Sequence, residues 1–428
     1  MPIAFRAVTR SGNRLRFGER VNDKALRDFV PCLYDAVNRG HEVMILDFSG
    51  SRTAYADAML PIVCLLDHRR ERGNVFSVVL PEFATLRNLF LNSNWAHLID
   101  PAEPPIDLQH RLHLAASRYL DHRGQQGLVN AVLAVVLNNL DLQRDHITGL
   151  EWALNEITDN VLNHSRSTSG GLVQVNTFRD EHKVKFVVAD AGRGIPAAMR
   201  EAFPRIGDDA EAIAEAVKAG VTSVPDSGQG NGLAGTLRIA TYGEGSFKIS
   251  SGDAGLIVHR DERTSEYRTR KTRAPRGFKF PGTVVMFEIS TNVDFAIEDA
   301  LALGGVPSAP LTDVVDLQYS SGGMLRIRLS DEALGYGTRH AGVELRRKCL
   351  NLLNAEPTKR LVLDWSGVPL ISSSFADEAV GKLFVELGPM VFAARVSNIG
   401  AESLVTSLLN RAVLQRVAQS VSADPNQV

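Results

Sequence analysis

The sequence predicts a multidomain α/β chain, with a central α/β sandwich between two smaller α/β domains. Three observations point there. Residues 1–100 alternate strand-like and helix-like stretches. Residues 313–420 repeat that order, and two matches expose the repeat: VMILDFSG at 43–50 with LVLDWSG at 361–367, and Tyr55-Ala-Asp with Phe375-Ala-Asp. Between them, PAEPP at 101–105 and Gly304-Gly-Val-Pro-Ser-Ala-Pro break all periodicity and bracket a third region, residues 107–292. At 428 residues the chain exceeds one ordinary core.

The first region reads β-α-β-α-β-α. Pro2 to Val8 is a short strand, and Asp23 to Arg39 carries helical periodicity up to Gly40. Glu42 to Phe48 is a buried-type strand, Ala56 to Arg72 a helix stopped by Gly73, Val75 to Leu80 a strand, and Phe83 to Leu91 a helix opened by Pro81. In the central region Leu108 to Leu140 reads as helical. Leu172 to Phe178 and Lys183 to Ala189 read as a strand pair turning near Asp180-Glu181. Phe247 to Ser250, Leu256 to His259 and the run after Gly282-Thr283 are further strands. In the last region Met324 to Leu329, Arg360 to Trp365 and Met390 to Val396 are strands. Arg339 to Leu353, Phe375 to Leu387 and Glu402 to Ala418 are helices.

Apolar content of 44% and charged content of 22% are those of a globular protein, and no apolar run reaches membrane-spanning length. No signal-peptide core precedes the first domain, so a cytoplasmic chain with no membrane partner is expected. Cys32, Cys64 and Cys349 are scattered and read as buried thiols. A net charge of −2 exerts no global pull on nucleic acid. Arg260 to Lys279, basic with Tyr267 and Phe278, reads as a nucleic-acid or acidic-partner contact or as a solvated hairpin; the overall charge favours the hairpin.

Chemistry concentrates in Leu150 to Arg166. Leu150, Ala153, Leu154, Ile157, Val161 and Leu162 form an apolar helical stripe. Glu156, Asn160 and His164, four residues apart, stack along a second, polar stripe. A carboxylate, an amide and an imidazole in a row suit a cavity holding a metal and phosphates, although polar stripes are more often solvated faces. Two later stretches change the balance. KFVVADAGRGIP at 185–196 is a strand ending in Asp190, followed by Gly192 and Gly194. SGQGNGLAGTL at 227–237 runs Gly228, Gly230 and Gly232 into a helix. Taken singly, these read as a tight turn and a flexible helix leader.

In order and spacing the three stretches resemble the GHKL nucleotide-binding domain of gyrase, chaperone, histidine kinase and MutL-type ATPases, the Bergerat fold. That family shows Glu-x-x-x-Asn, Asp-x-Gly-x-Gly and Gly-x-Gly-x-Gly-Leu in this order. The histidine at 164 resembles the anti-sigma-factor serine-kinase variant. The resemblance implies ATP and Mg²⁺ as cofactors. Glu156 would then orient or deprotonate the attacking hydroxyl or water, and the Asn160 oxygen would ligate Mg²⁺. Asp190 would accept the adenine amine, and Gly192 and Gly194 would let backbone pass close to the base. Gly228, Gly230, Gly232 and Leu233 would present a helix N-terminus to phosphate. His164 and Thr283 would complete the cofactor contacts. Ile195 to Ser227 would be a lid, helical from Ala210 to Ala219.

The last region resembles STAS-like domains. Leu-Asp-Trp-Ser-Gly-Val leads to Ile371-Ser-Ser-Ser374 before a helix, with Ser372 and Phe375 standing where the family has Asp and Gly. By the internal match the first region is STAS-like too. The resulting domains are 1–100 STAS-like, 107–292 GHKL and 313–420 STAS-like. Ser374 takes the phospho-acceptor place, or else is an ordinary helix cap. The expected function is that of an ATP- and Mg-binding regulator whose nucleotide state controls STAS-like interaction modules, by ATPase or kinase chemistry. The alternatives are a serine kinase of an anti-sigma-type partner switch and a non-hydrolysing ATP-gated interaction protein in stress or phage defence. Expected partners are ATP, a protein bound through the STAS-like domains, and a second copy in a homodimer.

Overall fold

Short strands with one buried face open the chain. The computed structural model describes residues 6–106, 113–218, 232–261, 263–274, 279–303, 306–307, 319–321, 323–332 and 336–422. Strands β1 (Val8–Ser11) and β2 (Arg14–Phe17) form an antiparallel hairpin turning at Gly12, whose φ of 61° suits glycine. Of the strand expected at Pro2 to Val8, residues 2–5 lie outside the described ones; the described strand begins at Val8 and is the first arm of a hairpin. Arginine-rich alternation hid it, because only Val8, Leu15 and Phe17 are buried. After β3 (Arg20–Val21) comes α1 (Asp23–Asn38), capped by the Asn22 side chain. β4 (Val43–Asp47), β5 (Thr53–Ala54), α2 (Ala56–Arg70), β6 (Val75–Val79), α3 (Ala84–Asn92) and α4 (Trp95–Ile99) follow. The sheet order is β1-β2-β4-β6, parallel from β2 onward.

Helix α2 explains how this region meets the next. Every residue from Ala58 to Asp67 is buried, and apolar residues surround the helix rather than lining one stripe. Such a helix must be covered on all sides. Here α2 also lies against three strands of the central sheet, β8 (Gly171–Phe178), β9 (Lys183–Asp190) and β13 (Phe280–Ser290). Leu172, Val187, Ala189 and Val284 share one core with Met59, Leu65 and Phe76. Lys248 bonds Asp23 at 2.6 Å and Asp57 at 3.1 Å, and in the interior Trp95 donates to Gln174 at 2.8 Å.

The central sheet runs β12-β11-β10-β13-β9-β8-β7 and is antiparallel at every pairing. Its remaining strands are β7 (Ser117–Tyr119), β10 (Ser246–Gly252), β11 (Ala254–Arg260) and β12 (Tyr267–Arg273). Strand alternation assigns its faces. Val187 and Ala189 turn to α2, whereas Val188 and Asp190 turn to the opposite layer of helices. That layer comprises α5 (His122–Asn139), α6 (Arg144–His164), α7 (Gly194–Ala202), α8 (Asp209–Ala216) and α9 (Gly232–Tyr242). Two expectations are corrected here. Leu108 to Leu140 is not one helix, since 117–119 pair with β8 as an edge strand before α5 begins. The start of the segment expected to form a lid is α7, packed on β10 and β13; its residues 219–227 lie outside the described ones. The basic stretch contributes β12, a largely exposed edge strand paired with β11. Charged residues on an edge discourage strand addition, in keeping with a solvated hairpin.

The first region forms one compact unit with 113–132 and 149–309. Residues 133–148 and 310–428 fall in the second. After α10 (Ile297–Leu301) and the small pair β14 (Ala302–Leu303) and β15 (Val306–Pro307), the second unit builds another four-stranded sheet. Its elements are β16 (Ser320–Ser321), β17 (Met324–Arg328), α11 (Arg339–Ala355), β18 (Leu361–Asp364), α12 (Ser373–Ala376), α13 (Lys382–Leu387), α14 (Pro389–Arg395), β19 (Val396–Ile399) and α15 (Ser403–Ser422). A π-helical turn, Asp377–Gly381, joins α12 to α13. The order β16-β17-β18-β19, with its first pair antiparallel and the rest parallel, repeats the first sheet. So does a polar detail: Asp47 accepts from Arg14 and from the Ser49 N–H, and Asp364 accepts from Arg326 and from the Ser366 N–H. Met390 to Val396, expected as a strand, is α14, because Pro389 starts a helix readily and the strand begins only at Val396. The cap of α12 is Ser372, which accepts from the Phe375 N–H at 3.0 Å; Ser374 lies inside the first turn and bonds Ser372 at 3.0 Å.

Candidate functional site

The site starts from the polar stripe of α6. Ala153, Leu154, Ile157 and Val161 are buried, which turns Glu156 and Asn160 toward a half-buried edge. Glu156 forms no hydrogen bond or ion pair with the described residues. Burial, with Asp159 adding a like charge, pushes its carboxyl up to about 7. The Asn160 amide also has no partner among the described residues. Gly232, the first residue of α9, lies against the Glu156 carboxylate; a Cβ there would collide with Oε2. The fold therefore brings Glu156 to the start of a second helix. Leu233 follows Gly232 half-buried, while Gly228 and Gly230 lie outside the described residues.

His164 ends α6, and burial lowers its pKa, with Arg193 adding to the shift. Its carbonyl accepts from Arg193 Nε at 2.8 Å, and the Ser165 carbonyl accepts the Arg193 N–H at 2.7 Å. Gly192 presses on Ser165 so closely that any side chain would strike the Ser165 carbonyl. The loop after β9 is thus bolted to the end of α6. Arg193 also pairs with Glu201.

Asp190 ends β9 fully buried. It accepts the Gly192 N–H at 2.7 Å and the Thr283 N–H, yet burial outweighs both and pushes its carboxyl up to about 7. Gly282 lies against the Asp190 carbonyl. Gly194 has a φ of 72°, and a Cβ there would strike Ser251 Oγ and the carbonyls of 281 and 282, so each glycine here is required by close approach. Ser251 was not legible in the sequence: within KISSGDAG nothing separates it from Ser250. Arg193 and Ser165 were missed for the same reason, since their roles are backbone contacts made by the fold.

The sequence-derived residues thus form two groups. Glu156, Asn160 and Gly232 meet at the α6–α9 edge. Asp190, Gly192, Gly194 and Thr283 meet at the ends of β9 and β13, and His164 joins the second group through Arg193. Carboxylate and amide oxygens one turn apart, without partners among the described residues and beside a helix start, can accept a cation together with phosphate.

Residues 145–290 match the family of histidine kinase-, DNA gyrase B- and HSP90-like ATPases. The chain carries a GHKL-type ATPase domain. Residues 341–405 match a STAS-like domain of unknown function. No curated protein and no solved structure matches the chain. Among the described residues no helix is long and apolar enough to cross a membrane, and all three cysteines are free and buried.

Proposed function

We propose that the chain binds Mg-ATP in its GHKL-type domain and turns it over, and that nucleotide state regulates the STAS-like modules. The observation that carries this reading is the half-buried Glu156 carboxylate, without a partner among the described residues, beside Asn160 and at the start of α9. A binding-only protein has no need to keep a costly carboxylate there. Asp190 would read the adenine amine, with Gly192, Gly194 and Thr283 shaping its pocket, and Gly228, Gly230, Gly232 and Leu233 would form the phosphate-facing helix start. Asn160 would hold Mg²⁺, which supplies charge neutralisation on the phosphate oxygens when bound. Glu156 takes the proton of the attacking water, and a carboxyl tuned near neutral pH is well matched to that task. His164 stands at the far end of the same stripe, available to phosphate.

The matching topology and the matching Asp–Arg pairs support reading the first domain as a second STAS-like module. Hydrolysis is favoured over phosphorylation of Ser374. That serine is half-buried, bonded to Ser372, and followed by Asp377 and Glu378, which oppose a phosphate. Incubation with γ-labelled ATP tests the choice. Label released as free phosphate supports the ATPase reading. Label retained on residues 361–382, or on an added STAS-domain protein, replaces it by the kinase of a partner switch.

A further inference from the structure

We infer that Ser251 is a positioning residue that fixes the hydrogen-bond direction of Thr283, so that Thr283 and Asp190 both present acceptors to the two hydrogens of an exocyclic amine. The inference rests on the nucleotide reading above and deepens it from ATP binding to the way the base is recognised.

Ser251, Thr283 and Asp190 sit in one row across three adjacent strands. Ser251 pairs with Thr283, and the next residue, Val284, pairs with Ala189, which precedes Asp190. The register slips between Ser251 and Gly252, a bulge of the kind that re-aims a side chain beside a site. Ser251 is buried and its hydroxyl has one proton. The Gly282 carbonyl, 2.7 Å away, can only accept, so Ser251 donates to it. Its lone pairs receive the Ile195 N–H at 3.0 Å and, at 3.3 Å, the hydroxyl of Thr283. Thr283 has then spent its only proton on Ser251 and keeps lone pairs alone for any other partner. Its backbone N–H already serves Asp190. An amine with two hydrogens satisfies both acceptors, whereas a bare C–H at the same ring position satisfies neither.

The test compares ATP with purine riboside 5′-triphosphate, which lacks the amine but keeps the ring nitrogens, the sugar and the phosphates. Affinities are read by calorimetry on the full chain. Ser251→Ala should lower the preference for ATP roughly threefold to tenfold, the value of about one neutral hydrogen bond, with purine riboside triphosphate affinity unchanged. Thr283→Val, at a half-exposed position, should narrow the preference equally. In a Thr283→Val background Ser251→Ala should add nothing, because it acts through Thr283. Equal weakening of both nucleotides by Ser251→Ala makes the residue merely structural and overturns the inference. So does a preference left unchanged by Thr283→Val, a readout that stands even where Ser251→Ala does not fold. A wild-type chain that binds neither nucleotide overturns the ATP reading itself.

Discussion

Two carboxyls dominate at the scale of single residues. Glu156 and Asp190 are both held near 7 by burial, well above their values in an unfolded chain. A folded pKa raised in this way favours the protonated native state. The associated stability is complete below about pH 4 and is lost as pH rises through about 7. The chain without nucleotide should therefore melt at a lower temperature at pH 8 than at pH 6, and Glu156→Gln should flatten that slope. A thermal scan at both pH values checks this, and an unchanged slope in the variant contradicts it. Turnover should run the other way. The base must be ionised, so hydrolysis should rise from pH 6 to pH 8 in the wild type. Steady-state phosphate release across that range is the measurement, and Glu156→Ala should show at most a few per cent of the rate, given the usual 10²–10⁴-fold worth of a general base. At this scale the motif residues were legible because their spacing encodes proximity along one helix or one turn. Ser251 was not, since its importance comes from a cross-strand row that no local pattern announces.

Among the elements, α2 joins two layers and α6 carries the polar stripe of the site. The first was legible as a helix but not as an interlayer. An apolar run of this length shows burial without showing what covers it. Leu65→Ala should cost about 2–5 kcal/mol, as expected for a leucine with no exposed surface, and urea unfolding measures it. A loss under about 0.5 kcal/mol would mean that α2 is solvated on one side. The α5–α6 turn offers a second test, within the unit that contains it. Asn351 is buried; its amide donates to the carbonyls of Leu137 at 2.8 Å and Leu140 at 2.9 Å, and its oxygen accepts the Leu142 N–H at 2.8 Å. Asn351→Leu strands all three groups and should cost about 1–3 kcal/mol or more, because buried unpaired polar groups keep their desolvation penalty. Hydrogen exchange at Leu142 reports it directly. The misread elements share a cause. The β1–β2 hairpin, β7 and α14 are short, and in each a neighbouring strand or a proline decided the outcome over the local pattern.

On the scale of the whole molecule, the repeat was visible as two matching phrases, and the sheets they belong to share order and strand direction. The phrases survive because they form the central strand and the turn after it, where Asp47 and Asp364 each accept the backbone N–H two residues on. What the phrases did not reveal is that the first domain covers the back of the central sheet, since Leu172, Val187, Ala189 and Val284 read equally well as the core of an isolated domain. A chain lacking residues 1–106 would expose that face. It should aggregate on purification while the full chain stays dispersed, by light scattering at equal concentration.

One assignment is central to the proposed function: the β9 end reads the base, and α6 acts on the phosphate side. Calorimetric titration of Mg-ATP into wild type, Asp190→Asn and Glu156→Ala separates the two ends in a single measurement. The assignment predicts that Glu156→Ala binds nearly as tightly as wild type, while Asp190→Asn loses roughly tenfold to a hundredfold, the worth of a charge-assisted hydrogen bond. Equal affinity of wild type and Asp190→Asn for ATP would contradict it.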